Sequence, residues 1–171
     1  MGHTASEFCP VSIAVLTVSD SRGEAEDTAG HYLVEVAKEQ GHRVVDKHIV
    51  KDNLYHIRAI VSQWIADAKV QVVLITGGTG FTQGDNTPEA LKPLFDREIE
   101  GFGELFRMLS YEEIDTSTIQ SRAIAGLANQ TLIFAMPGSP KACRTAWEKI
   151  IVRQLDARQK PCNFIPHISR K

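Results

Sequence analysis

With 171 residues, of which 43% are hydrophobic, the chain is long enough to form one domain with a substantial core that needs no disulfides or structural metals. Its net charge is −2, and acidic and basic residues are interspersed along the whole length instead of forming blocks, which argues against a nucleic-acid-binding surface. We therefore expect one domain over residues 1–171, with irregular termini at 1–10 and 158–171, and no nucleic-acid partner.

Cysteine usage and the length of the apolar runs indicate a cytoplasmic protein. The three cysteines are widely spaced and odd in number, as is typical of reduced thiols in the cytosol. The apolar runs are well short of the roughly 20 residues that cross a bilayer, and no signal peptide is recognisable, so we expect no membrane contact. Residues 1–6 match the loose N-myristoylation pattern, but no polybasic segment provides the second signal that stable anchoring requires.

The first part of the chain predicts alternating strands and helices. The apolar run of residues 12–18 is typical of a strand buried on both faces, and a helix then begins at a capping Thr28 and ends near Gly41. Residues 42–50 indicate a second, less apolar strand near an edge of the sheet. Residues 57–65 repeat apolar side chains on one helical face, which predicts a second helix.

A third and most apolar strand is predicted at residues 70–75, directly before a glycine-rich loop. Thr87 followed by Pro88 predicts the start of a helix, with a capping hydroxyl before a proline in the first turn. The remaining expected elements are a helix at 102–113 with a wide apolar face (Phe102, Leu105, Phe106 and Leu109), two strands at 124–127 and 131–136 joined at 128–130, and a closing helix at 141–155.

This alternation predicts right-handed βαβ units, and hence an α/β fold with a mostly parallel sheet and helices on both faces. Ligands bind such sheets beyond the carboxyl ends of the strands. Asp20 follows the first predicted strand, Asp52 follows the second, and residues 76–85 follow the third. The last predicted strand runs into Pro137, Gly138 and Ser139, so all four loops are expected at one edge of the sheet.

The loop at residues 76–80, TGGTG, has the composition of an anion-binding nest. Successive glycines allow backbone N–H groups to point toward one ligand, and the threonine hydroxyls add donors. We therefore expect a phosphate here, with the helix at Pro88 directing its positive end toward it. A lone carboxylate would repel a phosphate, so Asp85 is interpreted as a Mg²⁺ ligand or as an acceptor for a ligand N–H. A branched side chain at Gly78 is expected to weaken ligand binding far more than stability.

These residues allow several other interpretations. The loop is not a P-loop because no Lys-Ser/Thr pair closes it, and the third glycine of a dinucleotide fingerprint would fall at Gln83, which disfavours a nicotinamide-dependent reductase. A purely structural glycine turn is a further alternative. Asp20 and Asp52 fit turn or capping roles equally well, and Arg107 and Arg122 fit either phosphate contacts or ordinary surface ion pairs.

A series of short motifs is highly specific in its order and spacing. Together the motifs resemble the MoaB/Mog family of molybdenum-cofactor biosynthesis proteins, and especially its MoaB branch, over nearly the whole chain. They are TVSDSR (17–22), DTAG (27–30), ITGGTG (75–80), GDNTPEA (84–90), EGFGELFR (100–107), SRAIAG (121–126), MPGSPKA (136–142) and QKPCN (159–163).

The resemblance implies a three-layer α/β/α fold, assembly as a homotrimer or a dimer of trimers, and binding of molybdopterin, a pterin with a dithiolene and a terminal phosphate. In the Mog-type members the reaction is adenylylation of that phosphate with ATP and Mg²⁺. By resemblance, Asp52 and Asp85 are the essential acidic pair, with Asp85 near the metal. The residues expected to contact the ligand are Ser19, Asp20, Thr76, Gly77, Gly78, Thr79, Gly80, Thr87, Pro88, Glu89, Pro137, Gly138 and Ser139.

Two positions depart from the pattern of the adenylylating relatives. The residue before the loop aspartate is Gly84, where those relatives usually have arginine, and Asp52 follows Lys51, where they usually have proline. Two functions are therefore open at this point. One is a molybdopterin adenylyltransferase, and the other is a non-catalytic molybdopterin-binding or scaffold protein of the same pathway.

Overall fold

A single β-sheet forms the centre of the structure. The structure is a computed structural model that describes residues 7–168. The N-myristoylation match at residues 1–6 lies outside the described residues. The strands are β1 (Ser12–Val18), β2 (Arg43–Val50), β3 (Val72–Thr76), β4 (Arg97–Glu98), β5 (Ile124–Ala128) and β6 (Thr131–Met136). They form a six-stranded sheet in the order β2-β1-β3-β6-β5-β4.

Helices connect most of these strands. The α-helices are α1 (Thr28–Glu39), α2 (Leu54–Ala66), α3 (Thr87–Leu91), α4 (Glu100–Ile114), α5 (Pro140–Ala146), α6 (Val152–Gln154) and α7 (Ile165–Ile168). Short 3-10 turns lie at Glu24–Glu26, Lys92–Leu94 and Asp115–Gln120, and a π-helical turn, Trp147–Ile151, joins α5 to α6.

The sheet is mostly parallel, as predicted. Strands β2, β1, β3 and β6 are parallel neighbours, whereas β5 pairs antiparallel with β6, and β4 pairs antiparallel with β5. The prediction that the second strand lies at an edge is confirmed, because β2 is the first strand in the order. The carboxyl ends of the parallel strands therefore point to one edge of the sheet.

The core lies on both faces of the sheet, which gives the three-layer α/β/α arrangement. Ile13 and Val15 of β1 pack on the face that carries α1, α4 and α5. The alternate residues Ala14 and Leu16 pack on the face that carries α2 and α3. The continuous apolar run of β1 is explained by this double burial.

The N-terminus of α1 differs from the sequence-based expectation. The capping residue is Asp27, whose carboxylate accepts a hydrogen bond from the amide of Gly30 at 3.0 Å, and Thr28 is the first helical residue. Asp27 is fully buried and also accepts from the hydroxyl of Thr17, so its position is set by tertiary contacts as well as by the cap. Gly41 follows the helix with a φ of 98°, as expected for a glycine at a helix C-terminus.

The helix after the glycine loop, α3, has only five residues. Asn86 occupies the capping position, and the hydroxyl of Thr87 donates to the carbonyl of Gly77 at 2.8 Å instead of capping the helix. Thr87 therefore ties α3 to the loop after β3.

The apolar face of α4 is divided between core and surface. Of the predicted wide apolar face, Phe102 and Phe106 are almost fully buried and belong to the core. The exposed large apolar side chains of this helix are Leu105, Met108, Tyr111 and Ile114, at 38%, 62%, 55% and 45% exposure.

The C-terminal part of the structure contains the predicted closing helix and one further helical turn. The π-helical turn between α5 and α6 continues the closing helix without a break from Pro140 to Gln154. In the tail that was expected to be irregular, Ile165–Ile168 form a one-turn helix whose two terminal isoleucines are buried. None of the helices within residues 7–168 is long and apolar enough to cross a membrane.

Candidate functional site

The loops that follow the parallel strands meet at one edge of the sheet and form a cleft of about 450 Å³. The amide of Gly77 donates to the carbonyl of Met136 at 2.9 Å, which holds the loop after β3 against the end of β6. The segment after α4 forms the opposite wall. The residues that line the cleft are Val18, Ser19, Ser21, Arg22, Gly77, Gly78, Thr79, Gly80, Asp85, Ile114, Ser117, Gln120, Ser121, Pro137 and Gly138.

Two glycines of the loop are required by its own packing. Gly77 and Gly78 have φ values of 103° and 68°, a region that side chains disfavour. A Cβ at Gly77 would lie 2.2 Å from the carbonyl oxygen of Val18. A Cβ at Gly78 would lie 2.3 Å from the hydroxyl oxygen of Thr87 and 2.7 Å from a carboxylate oxygen of Asp52. The missing side chains thus allow the loop to pack against β1 and α3.

Backbone donors remain available in the cleft. The amides of Gly78, Thr79 and Gly138 make no hydrogen bond to any residue between 7 and 168, although all three residues line the cleft. Unpaired N–H groups at a glycine turn are the donors that bind anions in nests. This part of the site fits the phosphate that the sequence predicted.

Asp85 is the only carboxylate among the described residues that line the cleft. One of its oxygens accepts hydrogen bonds from the amide of Thr82 at 2.8 Å and from the hydroxyl of Thr82 at 2.7 Å. Burial alone would raise the pKa of Asp85, but hydrogen bonds from Thr82 and Gly80 and the charge of Arg122 hold it below its usual value. Asp85 is therefore firmly ionised at neutral pH.

Asp52 lies behind the glycine loop and connects three loops. Its amide donates to a carboxylate oxygen of Asp20 at 3.0 Å, and one of its own carboxylate oxygens accepts from the amide of Asn86 at 3.0 Å. Burial raises the pKa of Asp52, the hydrogen bonds of Asn86 oppose this shift, and the nearby charges of Asp85 and Asp20 add to it. The negative charges of both neighbouring carboxylates thus disfavour ionisation of Asp52.

The donor chemistry of these residues fits Mg²⁺, although the protein alone does not complete a metal site. Within residues 7–168, no three His, Cys, Asp or Glu side chains converge to hold a metal ion. Mg²⁺ is usually bound by one or two carboxylates together with substrate phosphates and water. Asp85 is ionised and faces the cleft, so it has the properties of such a ligand.

Arg122 holds the glycine loop in place. Its guanidinium donates to the carbonyl of Gly80 at 2.8 Å and to the carbonyl of Asp85 at 2.9 Å, and it also pairs with Glu89. Its amide donates to the carbonyl of Thr79 at 2.9 Å. Because its Nε, NH1 and NH2 atoms each bond a residue of the loop or of α3, and because it does not line the cleft, Arg122 is interpreted as a support of the loop.

Several predicted ligand-contacting residues have structural contacts instead. The hydroxyl of Thr76 donates to the carbonyl of Pro137 at 2.9 Å, which joins the loops after β3 and β6. The hydroxyl of Ser139 accepts from the amide of Ala142 at 3.1 Å and caps α5. Pro88 and Glu89 face a neighbouring pocket, and Thr87 is buried. The predicted residues that line the cleft itself are Ser19, Gly77, Gly78, Thr79, Gly80, Asp85, Pro137 and Gly138.

Sequence reasoning missed Arg22 and Asn86 as site residues. Arg22 lines the cleft and donates to the carbonyl of Gly138 at 2.7 Å. A basic residue in the first strand-end loop, three positions after Ser19, was the available signal for it. Asn86 donates hydrogen bonds to both the carboxylate and the carbonyl of Asp52. No local sequence pattern predicts this contact.

Comparisons with known proteins agree with this arrangement. A family model described as "Probable molybdopterin binding domain" matches residues 14–157. Molybdenum cofactor biosynthesis protein B of Escherichia coli (strain K12) is 69% identical over 170 residues, covering 99% of this chain and 100% of the relative.

Solved structures show the same similarity. A crystal structure of Molybdenum cofactor biosynthesis protein B matches with a TM-score of 0.83 at 45% identity, over 86% of this chain and 92% of that chain. The tungsten cofactor synthesizing protein MoaB from Pyrococcus furiosus matches with a TM-score of 0.76 at 37% identity, over 82% of this chain and 90% of that chain. The chain therefore belongs to the MoaB/Mog family of molybdenum-cofactor biosynthesis proteins, with a molybdopterin-binding domain as its matched region.

Proposed function

We propose that this protein binds molybdopterin in the cleft through the terminal phosphate of the pterin, and that it adenylylates this phosphate with ATP and Mg²⁺. The description of the family domain supports molybdopterin as the ligand. The free amides of Gly78, Thr79 and Gly138 support a phosphate as the group that enters the cleft.

The observation that carries the catalytic part is an ionised Asp85 inside a cleft that is otherwise suited to an anion. A site that only binds a phosphate gains nothing from a carboxylate beside it, because the two charges repel each other. A site in which two phosphates react has a use for that carboxylate, since it could hold a divalent cation that would offset the negative charge of the phosphates.

In the proposed reaction, an oxygen of the pterin phosphate attacks the α-phosphorus of ATP. A new P–O bond forms, the bond to pyrophosphate breaks, and pyrophosphate leaves with that electron pair. The amides of Gly78 and Thr79 are suited to bind phosphate oxygens, and fixed donors of this kind lower the barrier most when negative charge grows in the transition state. The protein orients the two phosphates and supplies no covalent nucleophile.

The acidic residues have separate tasks in this proposal. Asp85 would hold Mg²⁺, which offsets the charge of the reacting phosphates when it is bound. Asp52 accepts two hydrogen bonds from Asn86 on one carboxylate oxygen and so keeps the glycine loop against the loop after β2. Asp20 accepts the amide of Asp52 and extends this connection to the loop after β1.

A second candidate is a protein that binds molybdopterin without catalysis. The observation that favours it is Gly84, which provides no side chain at the position where adenylylating relatives usually have arginine. Loss of one charge-assisted hydrogen bond to a phosphate costs about 1.5 to 3 kcal/mol, which corresponds to roughly one to two decades in rate.

Incubation with molybdopterin, ATP and Mg²⁺ separates the two candidates. The adenylyltransferase releases pyrophosphate and forms the adenylylated pterin, and Asp85→Asn should lower this turnover by about 100-fold or more, because the charge that positions the metal is lost. Binding of molybdopterin alone should survive in Asp85→Asn. Glu39→Gln, which removes an exposed carboxylate at the end of α1, is the matched control.

Gly84→Arg tests the departure from the family pattern. A Cβ at Gly84 would lie 3.8 Å from Thr82 and 4.0 Å from Asp20, so the backbone has room for a side chain. Product formed only by Gly84→Arg would support the non-catalytic candidate for the natural chain. Undiminished turnover in Asp85→Asn would refute the role that we assign to Asp85.

We further propose that the protein assembles as a homotrimer or a dimer of trimers. The family resemblance supports this assembly, and so do the exposed large apolar side chains of α4, of which Met108 and Tyr111 are the most exposed.

A further inference from the structure

We infer that Arg22 is the specificity-determining residue of the cleft, the side chain that selects ligands carrying a terminal phosphate. This inference rests on the proposed function and adds the charged side chain that recognises the phosphate. Among the described residues that line the cleft, Arg22 is the only cationic side chain. A phosphate that enters this cleft therefore meets one guanidinium, a set of neutral donors and the carboxylate of Asp85.

The guanidinium of Arg22 is oriented but not saturated. Its NH1 donates to the carbonyl of Gly138 at 2.7 Å. The backbone amide of Arg22 donates to the hydroxyl oxygen of Ser19 at 3.1 Å. Its Nε and NH2 make no hydrogen bond to any described residue. A guanidinium has five N–H donors in a fixed fork that suits phosphate oxygens. Most of these donors are free, while one bond fixes the direction of the group.

The other arginines near the cleft do not line it and are bound to other groups. The guanidinium of Arg122 is engaged with Gly80, Asp85 and Glu89. Arg107 donates to the carbonyls of Ser121 and Ala123, both at 3.2 Å, and lines pockets outside the cleft. Because Gly84 has no side chain, the loop after β3 supplies no cation either. The charge that recognises a phosphate must come from the loop after β1.

The opposite wall offers a donor that suits the same ligand. The hydroxyl of Ser121 is buried and has no hydrogen-bond partner among the described residues, and Ser121 lines the cleft at 9% exposure. Buried hydroxyls in folded proteins nearly always have a partner. An anionic group bound at Arg22 would bring an acceptor into the cleft that Ser121 lines.

The test compares Arg22→Gln with Arg153→Gln, a control in which an exposed arginine outside the cleft loses its charge. Binding is measured for molybdopterin and for the same pterin after its phosphate has been removed. We expect Arg22→Gln to weaken binding of the phosphorylated ligand by about 10- to 100-fold and to leave the dephosphorylated ligand nearly unchanged. Arg22→Lys should recover part of the loss, because it restores the charge without the fork.

A merely structural role would give a different pattern. If Arg22 only positions Gly138, then Arg22→Gln should weaken both ligands equally and lower the melting temperature, and this result would overturn the inference. Unchanged binding of the phosphorylated ligand would also overturn it.

Inorganic pyrophosphate separates this inference from the proposed function. If the wild type binds pyrophosphate in an Arg22-dependent way but does not bind molybdopterin, the proposed function fails and the role of Arg22 stands. If molybdopterin is bound and adenylylated equally well by Arg22→Gln, the function stands and the role of Arg22 is refuted.

Discussion

At the scale of single residues, Gly78 shows how close packing can reverse a sequence-based expectation. A side chain at Gly78 was expected to obstruct the ligand while sparing the fold, but it would instead contact Thr87 and Asp52. We therefore expect Gly78→Ala to lower the free energy of unfolding by about 1 to 3 kcal/mol, because of the positive φ and of this clash. Denaturant unfolding measures this change.

Gly138→Ala is the matched control for Gly78→Ala. The nearest atom to a Cβ at Gly138 is the Cα of Gly77 at 3.4 Å, which is an ordinary contact. The stability of Gly138→Ala should therefore stay near that of the wild type. Equal stability losses in the two variants would contradict the packing explanation.

His42 is the residue whose titration should be visible in stability. Burial lowers the pKa of His42 to about 4, and the charge of Asp156 opposes this shift only in part. In the unfolded chain its pKa is about 6.5, so the unfolded state binds a proton that the folded state does not bind between these values. Stability from neutral His42 is present above pH 6.5 and is lost as the pH falls toward 4, by roughly 3 kcal/mol in total.

Unfolding free energies measured between pH 4.5 and 7.5 check the contribution of His42. His42→Phe keeps an aromatic ring between Phe8 and Trp147 but removes the titrating group. The pH dependence of this variant should be flatter than that of the wild type, even though the amide of Val11 loses its acceptor. Parallel pH profiles would show that His42 does not contribute.

At the scale of elements, a buried ion pair joins α1 to the sheet. The carboxylate of Asp27 caps α1, accepts from Thr17 of β1 at 2.8 Å, and pairs with Lys47 of β2 at 2.9 Å. Burial would raise the pKa of Asp27, but the bonds from Lys47, Thr17 and Gly30 hold it below its usual value. One side chain thus fixes the position of one helix against two strands.

We expect Asp27→Ala to lower the free energy of unfolding by about 3 to 5 kcal/mol, because it removes the cap and the buried partner of Lys47. Glu24→Gln is the control, since Glu24 also pairs with Lys47 but is exposed. Its effect should be much smaller. Urea unfolding of both variants tests this difference, and similar losses would argue against a special role for the buried carboxylate.

The same helix shows what local patterns can and cannot predict. The sequence predicted a capped helix that ends near Gly41, and both features are present. The sequence predicts Thr28 as the cap, but residue type alone does not distinguish Thr28 from Asp27, which is also a good capping residue. Asp27 is the cap in the structure because Thr17 and Lys47, which are distant in sequence, bind its carboxylate.

At the scale of the whole molecule, the exposed apolar face of α4 predicts self-association. Met108 and Tyr111 are the most exposed of its apolar side chains. Sedimentation should give a trimer or a hexamer, and Met108→Glu should shift the protein toward monomers, because burying a charge in such an interface is unfavourable. Lys38→Glu, a charge reversal at the exposed end of α1, serves as control. A wild type that is monomeric at micromolar concentration would refute the assembly.

By itself, the sequence determined the α/β class, the edge position of β2 and the loops that meet at the carboxyl ends of the strands. These features follow from short-range periodicity and from strand direction, which a chain displays locally. Only the tertiary structure decided which residues line the cleft. Thr76, Thr87 and Ser139 bind backbone groups, whereas Arg22 faces the cleft with free donors. The physical reason is that a side chain's partner depends on loops distant in sequence, as in the bond between Arg22 and Gly138 across 116 positions.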